Sequence, residues 1–434
     1  MPTEKICIIG AGSSGLAAAK ALLEAGLPFD CFEKGSALGG NWRYDNDNGL
    51  SSAYRSLHIN TNRHIMSYSD FPMPEHTPMF PHHSHIIQYF EEYARHFGVA
   101  ERITYRTEVT DVRPNPDGSW RVRTRLREGA EQAQDYRAVV VANGHHWSPR
   151  YPEPPFPGHF AGETLHSHHY RTPEQVAGRN VVIVGMGNSA VDIACEAARQ
   201  YGGQVTISTR SGAYIMPNWL WGIPFDSLAS PLVSKLPLPI QRFVLKVALH
   251  LAHGNQANYG VPRPRRALLR EHPTLSQDLL NLAGRGLIHF KPNIRELQGD
   301  HILFDDGSTL PADLLIYATG YKVSFPFFAP DFLNVEEQNN LELYRRVVHP
   351  DHPGLFFLAF IQPLGAIMPL AEVQSQWIAR LLGGRCQLPP RPAMLASIAA
   401  DKAALARRYG PSPRHTLQVD FYPYKELLER EMRR

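Results

Sequence analysis

Two glycine-bearing turns in this sequence have the residue types and spacing to hold phosphates. The first runs Lys5-Ile6-Cys7-Ile8-Ile9 into Gly10-Ala11-Gly12-Ser13-Ser14-Gly15 and on into an apolar, alanine-rich run. This predicts a buried strand turning into a helix: Gly10 makes the tight turn, Gly12 with Ser13 and Ser14 lets backbone amides approach a pyrophosphate, and Gly15 lets helix pack on strand. The next apolar segment, Phe29-Asp30-Cys31-Phe32, ends in Glu33, about twenty residues on, where a carboxylate can accept hydrogen bonds from ribose hydroxyls. Gly39-Gly40-Asn41-Trp42 adds a flexible backbone segment at Gly40 and a large planar side chain at Trp42, which suits FAD better than NAD.

The second turn follows Val181-Val182-Ile183-Val184 as Gly185-Met186-Gly187-Asn188-Ser189-Ala190. Ala190 can stand where a third glycine is usual, because only a small side chain is needed at the helix–strand contact. The strand after it ends in Ser208-Thr209-Arg210, with no acid where the first unit has Glu33. Hydroxyls and an arginine suit a 2′-phosphate, hence NADPH. A flavin on the first unit and a nicotinamide on the second is the arrangement for hydride transfer between cofactors. Between the units, Asn60-Thr61-Asn62 sits in the stretch from Tyr54, and its amides need partners that a flavin edge or a nicotinamide could supply, or else they form a turn.

Composition narrows the classes. The chain has 434 residues with 44 Lys+Arg against 41 Asp+Glu, too balanced to argue for nucleic acid. Its four cysteines, Cys7, Cys31, Cys195 and Cys386, are too scattered for a disulfide framework or a Cys-x-x-Cys redox pair, which suits a reducing compartment. Histidines cluster at His82-His83-Ser84-His85, at His145-His146 and around His166, but in loops without metal-ligand spacing, so no metal is expected. Met1 to Lys5 leads straight into the first strand, leaving no room for a signal peptide, and a cytoplasmic setting is expected.

The elements that must position these residues read as an α/β fold. A helix is predicted from Ser84 to Gly98, short antiparallel strands between Ile103 and Arg127 about a Pro116-Asp117-Gly118 turn, and a buried strand over Ala138–Val141. The segment from Gly212 to about Gly260 is aromatic and broken by prolines, and its apolar stretches are too short and too charged to span a membrane. Packing or channel lining is the favoured reading there, over contact with a membrane surface.

Just before the second unit, Phe160, Gly162, His166 and Tyr170 spell Phe-x-Gly-x-x-x-His-x-x-x-Tyr. With this fingerprint the chain resembles the flavin-containing monooxygenases, as a soluble, bacterial-type member. The order of motifs carries the resemblance: Gly10 to Gly15, Glu33, Gly39-Gly40-x-Trp42, Tyr54 to Asn60, Asp70-Phe71-Pro72, the fingerprint, Gly185 to Ala190, Tyr317-Ala318-Thr319-Gly320-Tyr321, and Gln362-Pro363-Leu364-Gly365-Ala366. It implies two Rossmann-like dinucleotide-binding domains, the NADPH domain inserted into the FAD domain, with borders at 1–170 and 322–434 for FAD and 171–321 for NADPH, the latter carrying a helical insertion at about 212–260. Ala318, Thr319, Gly320 and Gln362 join the cofactor-binding set.

The resemblance also implies a cycle: NADPH reduces FAD, oxygen adds at the flavin C4a, and NADP⁺ stays bound while the hydroperoxide waits for a soft sulfur or amine nitrogen. Asn60 aligns with the family asparagine that touches flavin and nicotinamide near the site of oxygen activation, and Asn62 is its rival. No side-chain base or nucleophile is required. The partners are O2 and a small-molecule substrate; no nucleic acid or transmembrane segment is expected, and a homodimer is compatible. Tyr170, where Baeyer–Villiger relatives typically carry tryptophan, favours heteroatom oxidation over ketone oxidation. A non-oxygenating NADPH-binding flavoprotein is the third alternative.

Overall fold

The computed structural model describes residues 4–270, 273–333, 335, 341–409 and 416–434, so the leader residues Met1 to Thr3 lie outside it. The chain divides into two compact units, one of residues 1–53, 57–148 and 322–434, the other of 54–56 and 149–321.

The first unit is built on a parallel sheet in the order Leu355–Phe357, Ala138–Val141, Ile6–Ile9, Phe29–Phe32, Ile103–Thr104. The central strand is buried on both faces, which explains its unbroken apolar run. Ile6 and Ile8 pack in one core with Leu16 and Ala19 of the helix Ser13–Glu24 and with Val373 and Trp377 of the helix Met368–Leu382. Cys7 and Ile9 face the opposite core, with Val112, Trp120 and Phe357. That second core is closed by an antiparallel sheet of Thr107–Pro114, Trp120–Leu126 and Glu131–Tyr136, whose first hairpin turns at Gly118 as predicted. The expected helix spans His83–His96. All four cysteines are free and buried.

The second unit repeats the theme with a parallel sheet in the order Glu163–His166, Leu314–Tyr317, Val181–Val184, Val205–Ser208, Ile288–Lys291. The helix Asn188–Arg199 packs on it through Ala190, Val191 and Ala194. The expected border at 170/171 falls inside this unit. The reason is pairing: Gly158–Phe160 joins the strand Ile294–Gly299, and Glu163–His166 joins Leu314–Tyr317. Residues 54–56 belong here too, Arg55 donating its backbone N–H to the Arg171 carbonyl at 2.8 Å. The insertion has its own small core of Met216, Leu220, Phe225, Leu249 and Leu268, and includes the helix Leu238–His253. It ends in the short strand Thr274–Leu275, further along than the sequence suggested.

Candidate functional site

At the first glycine turn, Gly10 has φ +100°, and a Cβ there would sit 2.8 Å from the Ala142 carbonyl oxygen. A Cβ on Gly15 would come within 1.8 Å of the Gly10 carbonyl, so the helix lies directly on the turn as the spacing requires. A Cβ on Gly12 would meet only the Gly40 Cα, at 3.7 Å, which leaves the backbone there open to a ligand. Gly12 caps the helix without any side-chain hydrogen bond, and no acid lies in the first turn. The leading N–H groups at Ser13, Ser14 and Gly15 therefore face outward as an anion cradle. The Gly39 N–H donates to the Ala11 carbonyl at 2.9 Å, locking Gly40 and the half-buried Trp42 beside the turn. Tyr68 donates to the Ser13 carbonyl at 2.6 Å, and Lys20 pairs with Asp70, so the Asp70-Phe71-Pro72 motif braces this helix.

Glu33 is 4% exposed and is held by three donors. Ala11 N–H reaches Oε2 at 2.9 Å, while Gly35 N–H at 2.8 Å and Asn48 Nδ2 at 3.2 Å reach Oε1. One lone pair of Oε2 remains for a ligand hydroxyl, so this carboxylate fits the ribose of a dinucleotide.

The three residues of Asn60-Thr61-Asn62 have different fates. Asn62 is fully buried and caps the short helix Arg63–Met66, its Oδ1 accepting from His64 N–H at 3.0 Å and Ile65 N–H at 3.2 Å. Its side-chain carbonyl oxygen is committed to the fold as this cap. Asn60 and Thr61 are half-buried, and the Asn60 amide makes no hydrogen bond among the described residues.

The second turn matches the first. Gly185 has φ +129°, with the Ala318 carbonyl 2.5 Å from where a Cβ would be, while Gly187 faces open space and Ala190 is fully buried. Ser189 is half-buried at the helix start, but Asn188 is occupied, its Oδ1 accepting from Leu275 N–H at 3.0 Å. The strand end differs from expectation in one respect. Ser208 is 1% exposed and donates to the Pro292 carbonyl at 2.8 Å, so its hydroxyl points into the fold and is unavailable to a phosphate. Thr209 is half-buried and accepts from Gly212 N–H at 3.1 Å, and Arg210 is exposed with no partner among the described residues. Ala318 and Gly320 follow the strand that lies against this turn, with Thr319 donating to the Arg150 carbonyl. Gln362 lies in the first unit, its backbone N–H donating to Leu417 at 2.7 Å and its side chain half-buried.

The fingerprint is a brace for the second turn's helix. Tyr170, fully buried, donates to Glu196 at 2.5 Å, and Tyr54, whose ring centroid lies 5.7 Å from that of Tyr170, donates to Asp192 at 2.6 Å. Burial pushes the Asp192 carboxyl up to about 6, the Tyr54 hydroxyl opposing and Glu196 and Asp278 adding to the rise. His166 caps the turn Ser167–His169 by accepting from His168 N–H at 3.1 Å, and burial pushes both His166 and His168 down to about 4. Sequence reasoning missed Asp192 and Glu196. Their signal was an i, i+4 pair of acids on an otherwise apolar helix, an arrangement that is unfavourable without donors facing it.

A family model described as flavin-binding monooxygenase-like matches residues 3–432. Flavin-containing monooxygenase 5 of Rattus norvegicus is 37% identical over 99% of this chain and 82% of its own length. Dimethylaniline monooxygenase [N-oxide-forming] 2 of Mus musculus is 34% identical over the same shares. Among solved structures, the S-allyl-L-cysteine S-oxygenase from Allium sativum superposes with a TM-score of 0.75 at 27% identity, covering 99% of this chain and 88% of its own. Two open glycine cradles on two parallel sheets, matched end to end in sequence and in fold, identify the chain as a member of the flavin-containing monooxygenase family, an FAD- and NADPH-dependent monooxygenase.

Proposed function

We propose that the enzyme oxygenates the nitrogen or sulfur of a small organic substrate, with FAD on the first unit and NADPH on the second. The contrast between the two strand ends carries the cofactor assignment: a buried carboxylate with a lone pair to spare at Glu33, and an exposed guanidinium at Arg210 that has no partner among the described residues. When bound, FAD and NADPH supply the hydride, oxygen-activating and oxygen-transfer chemistry. The chain's own residues bind and orient. Gly10 to Gly15 and Gly40 receive one pyrophosphate and Glu33 its ribose; Gly185, Gly187 and Ser189 receive the other, with Thr209 and Arg210 at the 2′-phosphate. Asn60 offers an amide without a hydrogen bond among the described residues that can both donate and accept, and we assign it the contact that positions the reacting ring.

The choice of nitrogen or sulfur is supported by the relatives whose names state N-oxide formation and S-oxygenation. The reading extends to a cytoplasmic enzyme, in keeping with the absence, among the described residues, of a helix long and apolar enough to cross a membrane. Product analysis with a tertiary amine, a thioether and a ketone, each scaled to NADPH consumed, tests it. N-oxide or sulfoxide without ester is expected; ester or lactone as the main product would replace it with Baeyer–Villiger chemistry, and hydrogen peroxide alone with a non-oxygenating role.

A further inference from the structure

Ala359 is held in a conformation that its side chain disfavours. Its φ is +62°, and among the described non-glycine residues with positive φ it alone is buried, at 5% exposed. Left-handed alanine crowds its Cβ against the backbone, so it persists only where its surroundings fix it, and such outliers gather at functional sites. Ala359 stands two residues past the strand Leu355–Phe357, at the carboxyl edge of the parallel sheet, where the neighbouring strands deliver Gly10 and Glu33. In open parallel sheets ligands bind outside that edge. Three residues further on is Gln362, whose side-chain amide makes no hydrogen bond among the described residues. Phe360 and Ile361 between them are buried, so the backbone turn at Ala359 sets where Gln362 emerges.

What fixes Ala359 is one side chain. Leu358 N–H stays with the sheet, donating to the Val141 carbonyl at 2.9 Å, while the Ala359 N–H turns away to the amide oxygen of Gln374 at 2.8 Å. Gln374 lies on Met368–Leu382 and is 0% exposed. Its Nε2 donates to the Tyr424 hydroxyl at 2.7 Å, and that hydroxyl donates to the Arg345 carbonyl at 2.7 Å. The direction of this relay is forced. A carbonyl only accepts, so Tyr424 spends its proton on Arg345 and must accept from Gln374, which leaves the amide oxygen facing Ala359. Arg345 is pinned in turn by Glu431, 2% exposed, at 2.9 Å. Burying an amide is costlier than burying a methionine of similar size, so packing alone does not account for a glutamine here.

We propose, on the reading that FAD lies on the first unit in contact with Gln362, that Gln374 is a positioning residue for the flavin: its bond to Ala359 holds the left-handed conformation that aims Gln362 at FAD.

The test compares full-length holoenzymes for FAD retention on dilution, read as the rise of free flavin fluorescence, and for the visible circular dichroism of the bound flavin. Gln374→Met removes the bond at similar volume and should weaken FAD retention by about fivefold or more, with altered dichroism. Glycine takes positive φ without strain, so Ala359→Gly/Gln374→Met should recover about half of that loss or more. A glutamine that merely filled the core would give the reverse, the glycine adding a loss of its own. Tyr424→Phe keeps the ring and only frees the amide to turn, so it should weaken retention by about threefold; it takes the place of Gln374→Met, with the glycine added to it, if that variant does not fold. Gln362→Leu tests the contact itself. Native retention and dichroism in Gln362→Leu overturn both that contact and the role of Gln374. A loss in Gln362→Leu beside native retention in Gln374→Met and Tyr424→Phe overturns the role of Gln374 alone. So does a double variant no better than Gln374→Met, and so does a lowered melting temperature at saturating FAD with retention and dichroism unchanged.

Discussion

Tyr170 donates its buried hydroxyl to Glu196 at 2.5 Å, tying the end of the fingerprint to the helix that opens at the second glycine turn. Tyr54 makes the parallel bond to Asp192, one turn earlier on the same helix. Two phenols thus hold two acids that would otherwise repel. Tyr170→Phe should cost about 1–3 kcal/mol of stability in denaturant unfolding, the range for a hydrogen bond to a charged group, and should raise the KM for NADPH more than it lowers flavin content. Unchanged unfolding and unchanged KM would deny the brace.

The same cluster sets a pH dependence. Asp192 keeps some exposed surface, but its carboxyl is enclosed and its pKa is raised to about 6. A raised carboxyl favours the folded state fully below the unfolded value near 4 and loses that contribution as pH climbs through about 6. His166 and His168, pushed down to about 4, act in the opposite sense, withdrawing stability as pH falls from about 6.5. The native curve mixes these terms, so the difference between proteins is the useful readout. Asp192→Asn should gain on the native protein in melting temperature between pH 5 and 8 (roughly) and show no gain near pH 4. A constant difference across that range would refute the assignment.

Arg210 should set the choice of nicotinamide. Arg210→Ala should weaken NADPH by about tenfold or more and leave NADH nearly unaffected, because a charge-assisted contact to phosphate is worth roughly 1.5–3 kcal/mol. Steady-state KM values for both nucleotides decide this. Equal kinetics with the two in the native enzyme would sink it.

Glu33→Ala should lower flavin occupancy and melting temperature together, since bound cofactor stabilises the folded state by mass action. The absorbance ratio of flavin to protein and a melt with added FAD measure both. A fully yellow variant with native melting would remove Glu33 from the FAD site.

Asn60 and Asn62 should part company. Asn60→Leu should keep FAD and stability while NADPH oxidation runs on to hydrogen peroxide in place of product. Asn62→Leu should lose about 1 kcal/mol of stability or more, because the cap of Arg63–Met66 goes with it. Native product yield per NADPH in Asn60→Leu would falsify its positioning role.

Much of this molecule is legible in its sequence because its phosphate cradles are local. Gly10 and Gly185 are demanded by turns whose conformations other residues adopt only under strain, and the strand, turn and helix around each are contiguous. Glu33 follows from the same unit. What escaped is set by partners far along the chain. Ser208 looked available at a strand end, but its orientation is decided by the Pro292 carbonyl, 84 residues on. Asn62 matched Asn60 in type and differed only in capping a four-residue helix too short to announce itself. The second tie on the same helix depends on Tyr54 meeting Asp192, 138 residues away. The domain border moved for the same reason, since strand partners for Gly158–Phe160 and Glu163–His166 come after residue 290.

The four buried cysteines take on a meaning in this chemistry that packing alone does not give them. An enzyme that activates oxygen sheds hydrogen peroxide whenever transfer fails, and the species peroxide attacks is the thiolate. Burial holds the Cys7 and Cys31 thiols well above their ordinary range and pushes Cys195 up to about 12, while Cys386 is raised in the same direction. Cys7 and Cys31 lie in the strands that lead into the first turn and Glu33, where sulfur oxidation would wreck the flavin site. Kept neutral and out of reach, they resist self-inflicted oxidative damage.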